Sequence, residues 1–187
     1  MNNQFFPNDE EELNFVMRIY EGEINTRNDW IKENARLLNE AKSASIVINH
    51  AMAIINHAML VLRLIDIEAV GARLKDKEKA IERATILNNR NQGIPKPPKT
   101  LRNIRNDYEH FEARLDKWAT SSNPSMYIDL IVGGEEFIFD NIPKDTFRKL
   151  EGSNLTFWNT KIDLQEVINW VEEVCKIINE SNNRARF

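Results

Sequence analysis

Leu101–Trp118 reads LRNIRNDYEHFEARLDKW, and the placing of its apolar residues sets the fold class. Leu101, Ile104, Tyr108, Phe111, Leu115 and Trp118 alternate at spacings of three and four, the stripe of an amphipathic helix. The pattern predicts a helix from about Thr100 to Ala119, stopped by Thr120-Ser121-Ser122-Asn123-Pro124. Upstream, Asn88 to Pro98 holds Gly93 and the prolines Pro95, Pro97 and Pro98, so it reads as an exposed loop delivering the chain to that helix. Before the loop, Lys75 to about Asn88 reads as a charged helix, either separate or continuing its predecessor.

Further back, Asn8 or Asp9 can cap a first helix. Leu13, Val16, Met17 and Tyr20 follow at helical spacing, and Gly22 is its predicted end. Asn28 or Asp29 opens a long helical stretch that persists to about Val70-Gly71, with Ile31, Ala35, Leu38, Ser45, Met52, Ile55, Met59 and Leu62 near one stripe. It is long for a globular helix, so a kink or break is expected within it. Ile48-Asn49-His50-Ala51-Met52 is echoed as Ile55-Asn56-His57-Ala58-Met59, which keeps the same groups on one face, as in helix–helix seams. His50 and His57 are separated by about 10 Å of helical rise, too far for one metal ion. They read as polar punctuation of a buried seam, or as lining of a groove between two copies of the chain.

Downstream the period changes. Tyr127–Val132 and Glu135–Phe139 flank Gly133-Gly134, which predicts a β-hairpin near residues 127–139 packed on the helices. Asp163-Leu164-Gln165-Glu166 then opens a last helix running through Val167, Ile168, Val171, Val174, Cys175 and Ile178. The expectation is one mainly α domain over residues 1–187, a bundle of four to five helices with a hairpin-plus-helix elaboration at 126–187.

Bulk properties narrow the function classes. At 187 residues, 42% hydrophobic and 29% charged, the chain is an ordinary globular one. A single cysteine, Cys175, allows no internal disulfide, so a reduced, cytoplasmic location is expected. Met1 to Glu12 lacks the basic and apolar regions of a signal peptide. The apolar stretch Ala44–Ile67 is interrupted by Asn49, His50, Asn56, His57, Arg63 and Asp66, so no membrane span is expected. No Walker loop, HExxH or Gly-x-Ser-x-Gly is present, and neither cofactor nor metal is expected. Net charge is −4, yet Lys75 to Arg105 holds nine basic residues against three acidic. Those nine are Lys75, Lys77, Lys79, Arg83, Arg90, Lys96, Lys99, Arg102 and Arg105. Such a segment can steer a polyanion, or be simply a solvated helix face and loop.

Within the leading helix lies Arg105-Asn106-Asp107-Tyr108-Glu109-His110. This resembles the motif of HEPN domains, helical bundles marked by an Arg, four to six residues and a His, often with a polar residue directly after the Arg. The resemblance covers Asn8 to Ala119 in architecture and Arg105 to His110 in motif; the hairpin and last helix lie outside it. On a continuous helix Asn106 and His110 share a face opposite the apolar stripe, with Arg105 roughly 140° from His110. One helix therefore does not converge Arg105 and His110 on one phosphate.

The resemblance implies a homodimer with a composite site and metal-independent endoribonuclease activity or RNA binding. His110 would be general base or acid, Arg105 would hold the phosphate, and Asn106 would orient it. Lys96, Lys99, Arg102 and Arg114 would contact the RNA. It further implies a toxin or phage-defence role, with a cognate antitoxin as partner. Two other readings stand beside it. Arg105 and His110 can be surface residues pairing with Asp107 or Glu109, and the bundle can be a non-catalytic dimerisation or interaction module.

Overall fold

The computed structural model describes residues 5–69, 72–122, 125–133, 144–158 and 160–184, with Arg105 described in its backbone alone. Helix α1 spans Glu10–Glu40 and starts at the predicted cap: the Asp9 carboxylate accepts the Glu12 N–H at 2.9 Å, with Glu10, Glu11 and Glu12 in the first turn. It does not end at Gly22. Met17, Glu21, Ile24, Asn28 and Ile31 are buried at alternating spacings of four and three, so one stripe runs straight through the glycine. Packing along that stripe outweighs the roughly 1 kcal/mol that an interior glycine costs a helix.

The break expected in the following stretch falls after Glu40. The chain reverses there, and α2 runs Ala44–Ile65, antiparallel to α1. The pairing shows in its polar rungs. His50 Nδ1 lies 2.9 Å from Asn34 Oδ1 and His57 Nδ1 lies 3.3 Å from Arg27 Nη1, so seven residues up α2 match seven down α1. The seven-residue echo is thus the ladder of this seam. Burial and then the neighbouring Arg27 guanidinium hold the His57 imidazole below its ordinary range, with Glu23 acting the other way.

Helix α2 is long and apolar enough to cross a membrane, but 56% of its most apolar window is buried inside the protein. It is the central core helix, touched by α1, α3, α4 and α6. A 3-10 turn, Leu74–Asp76, precedes α3 (Lys77–Arg90), which is therefore separate from α2. Helix α3 satisfies α2's terminal carbonyls. Arg83 donates to Arg63 O at 2.8 Å and Asn88 donates to Ile65 O at 2.8 Å.

The predicted helix over 100–119 is two helices, α4 (Leu101–Glu109) and α5 (Phe111–Ala119), with the break at His110. Its apolar stripe accordingly serves two masses. Leu101 and Ile104 are fully buried in the helical core, whereas Phe111 and Trp118 pack against Phe147 at ring distances of 6.3 and 5.8 Å. Phe147 belongs to the β region, so the stripe changes partner midway.

That β region is larger than the predicted hairpin. Strand β1 (Met126–Ile128) pairs in parallel with β3 (Lys144–Thr146), and β2 (Ile131–Val132) pairs in parallel with β4 (Arg148–Glu151). Strands β4, β5 (Asn154–Phe157) and β6 (Thr160–Asp163) form an antiparallel meander. The first arm of the predicted hairpin exists as β1 and β2, with β3 and β4 as bonded partners; the second arm, 135–139, lies outside the described residues. Helix α6 (Leu164–Arg184) leaves β6 directly, and the Asp163 carboxylate caps it by accepting the Gln165 N–H at 2.9 Å. One apolar core takes in residues from α1 to α4, β4 to β6 and α6.

Candidate functional site

The segment Pro98–Thr100 starts α4: Leu101 N–H donates to Pro98 O and Ile104 N–H to Thr100 O, both at 3.0 Å. Nine residues later His110, at φ −116° and ψ 26°, ends α4 and begins α5. Its N–H still reaches Asn106 O at 3.2 Å, while its carbonyl already accepts the Arg114 N–H at 3.0 Å. Around the junction α4 packs on α2 and on strands β5 and β6, while Phe111 and Trp118 of α5 set their rings against Phe147. His110 still closes the last turn of α4 through its N–H bond to Asn106 O, and the chain leaves the helix path only after it.

The hexapeptide divides into two sets of residues. Asp107 is 7% exposed and accepts hydrogen bonds from the Arg114 guanidinium and the Thr160 hydroxyl, so it ties α4 to α5 and β6. Glu109 forms an ion pair with Arg63 at the end of α2. Tyr108 leans on Phe157, ring centres 5.9 Å apart. Asn106 and His110, by contrast, are exposed, and among the described residues neither side chain is hydrogen-bonded. The Arg105 side chain lies outside what is described.

The four cations expected to contact RNA also divide. Arg102 is already held by Glu68 at 2.6 Å and Asp66 at 2.7 Å, and Arg114 by Asp107. Lys96 and Lys99 are exposed on the proline segment. Eleven residues separate Lys99 from His110, about 16 Å at helical rise. Beside Glu109 there is instead a cleft of about 620 Å³, bounded by Arg63, Arg73, Lys79 and Arg83 and by Asp66 and Asp76. Sequence reasoning missed this cleft, because its cations come from three separated elements.

His50 and His57 face α1 and not each other, and among the described residues no group of three or more His, Cys, Asp or Glu side chains is placed to hold a metal ion. Sequence reasoning also missed the Asp107–Arg114–Thr160 junction. Its signal was the spacing of Asp107 and Arg114, two turns apart on one face of an ideal helix. Thr160 had no local signal. No protein-family profile, curated protein or solved structure gives a significant match to the chain.

Proposed function

We propose that the chain is a HEPN-type RNA-cleaving protein whose working groups are His110, Asn106 and Arg105, brought together with their counterparts in a homodimer. The observation that carries this reading is the division within the hexapeptide. Asp107 and Glu109 are engaged in the fold, while Asn106 and His110 stand exposed at a helix junction, with no side-chain hydrogen bond to any described residue. An imidazole with a pKa near neutral suits proton transfer. In the proposed reaction His110 takes the 2′-hydroxyl proton as the 2′-oxygen attacks phosphorus. The bond from phosphorus to the 5′-oxygen breaks, and the partner copy's imidazolium protonates that oxygen. The products are a 2′,3′-cyclic phosphate and a 5′-hydroxyl end. Arg105 and Asn106 hold the phosphoryl oxygens. On this reading the helices from α1 to α5 are the HEPN-like part and the rest is elaboration, and a toxin or phage-defence role with a cognate antitoxin fits such an activity.

The test uses purified full-length protein and total RNA in excess chelator. Wild type should leave cyclic-phosphate ends; His110→Ala should lower cleavage at least a hundredfold, the usual span of a lost acid–base group, and Asn106→Ala by about a hundredfold, as for a lost hydrogen-bond donor to the transition state. Expression should arrest growth, with relief by His110→Ala or Arg105→Ala. Phe15 and Ile19, 68% and 57% exposed one turn apart on α1, favour a second reading as a non-catalytic interaction module. Equal silence of wild type and His110→Ala on RNA would support that module and end the nuclease reading.

A further inference from the structure

On the side of α4 away from its C-terminal junction, the proline segment and the end of α2 enclose a pocket of about 460 Å³, within the range of small-molecule sites. Leu62, Ile65, Ile94 and Pro97 give it aliphatic walls. The segment over it is fixed in place, since three prolines restrict its backbone and the Trp170 indole donates to Pro95 O at 3.0 Å. Such a wall is formed before any ligand arrives, which lowers the ordering penalty on binding.

The polar groups are unevenly matched. Arg102, Lys96 and Lys99 line the pocket together with the carboxylates of Asp66 and Glu68, an excess of one positive charge. Both carboxylates are already engaged by the two terminal nitrogens of Arg102. The remaining guanidinium donor, Arg102 Nε, is buried and has no acceptor among the described residues. It lies out of reach of solvent, so Arg102 serves the protein, and the cations left to face a ligand are the exposed Lys96 and Lys99. Among the described residues the walls carry no aromatic ring to stack on a nucleobase.

We infer that this pocket binds a small aliphatic carboxylate, its hydrocarbon body against Leu62, Ile65, Ile94 and Pro97 and its carboxylate towards Lys96 and Lys99. The site is independent of the RNA reading and stands or falls without it. Full-length protein titrated calorimetrically with octanoate should show saturable binding at one per chain, tighter than 1-octanol and weakened by added salt. Lys96→Gln/Lys99→Gln, which alters two exposed side chains, should weaken octanoate about tenfold, as expected for two rim charges, and leave 1-octanol unchanged. Absence of saturable octanoate binding to wild type overturns the proposal. So does equal, salt-independent binding of octanoate and octanol, a comparison that needs no variant.

Discussion

Asp107 and His110 lie three residues apart in one motif-like hexapeptide, and their surroundings assign them opposite duties. The Asp107 carboxylate is buried and receives Arg114 and Thr160 from two other elements, so its loss strands a guanidinium and a hydroxyl. Asp107→Ala should destabilise the protein by about 2 kcal/mol, as for a lost charge-assisted hydrogen bond. His110→Ala should change stability by less than about 0.5 kcal/mol, since the side chain is exposed. Urea unfolding of both variants separates the roles; a His110 variant as unstable as the Asp107 variant would show that the histidine serves the fold. His57 gives a pH-dependent counterpart. Its folded pKa is lowered, chiefly by burial, so the folded chain binds fewer protons than the unfolded one just below the ordinary imidazole value of about 6.5. Its contribution is full above that value and is lost as pH falls towards the folded pKa. The urea midpoint of wild type should therefore drop more between pH 7.5 and pH 5.5 than that of His57→Gln; parallel curves would contradict the burial argument.

Among the elements, the sequence was most readable where one periodicity met one partner. The caps at Asp9 and Asp163 follow from local signals that packing does not oppose, whereas the break after Glu40 was expected from the length of its stretch alone, without a position. Gly22 misleads because a glycine after Tyr20 looks like a helix stop, while the stripe that continues past it uses Glu21 and Asn28, polar residues that are buried. Glu21 is tolerated there because Asn91, Arg90 and Asn182 donate to its carboxylate from α3 and α6, partners that no local window contains. The β4–β5 hairpin went unread although Gly152-Ser153 is a two-residue hairpin signal: it separates two four-residue strands, and Gly152 takes φ +60° at the first central position of the turn. The parallel pairs β1–β3 and β2–β4 carried no such signal, since their registers join segments some eighteen residues apart. The partner of Phe111 and Trp118, Phe147, was equally out of reach of a local reading, since it meets them only through the folded β region. Gly22 supplies the prediction for this scale. A Cβ there meets nothing within 4 Å, so Gly22→Ala should stabilise the protein by about 0.5–1 kcal/mol, read as a raised urea midpoint. A lowered midpoint would mean that α1 needs to bend at that residue.

Across the whole molecule, charge and thiol placement follow one division between interior and surface. The basic run that looked like a polyanion face is split by residue type. Arg83, Arg90 and Arg102 are partly buried and donate to protein acceptors, while Lys75, Lys77, Lys79, Lys96 and Lys99 remain exposed. A planar guanidinium suits several fixed acceptors at once, and an ammonium keeps its hydration at the surface. Cys175 lies on the inner side of the same division. It is 4% exposed on α6, with its sulfur 3.7 Å from Ile24 O on α1, and burial pushes the thiol up to about 11. At pH 8 only about one thiol in a thousand is then thiolate, the form that reacts, and it is covered by the α1–α6 interface. Native protein should stay unmodified by Ellman's reagent, whereas denatured protein should release one equivalent promptly. Modification of the native state then reports separation of α6 from α1. If that separation is part of global unfolding, Gly22→Ala should slow labelling by the factor that its stability gain implies, about two- to fivefold. Prompt labelling of native protein with its circular dichroism intact would instead mean that α6 opens on its own, and that the core joining α1 to α6 is not one cooperative unit.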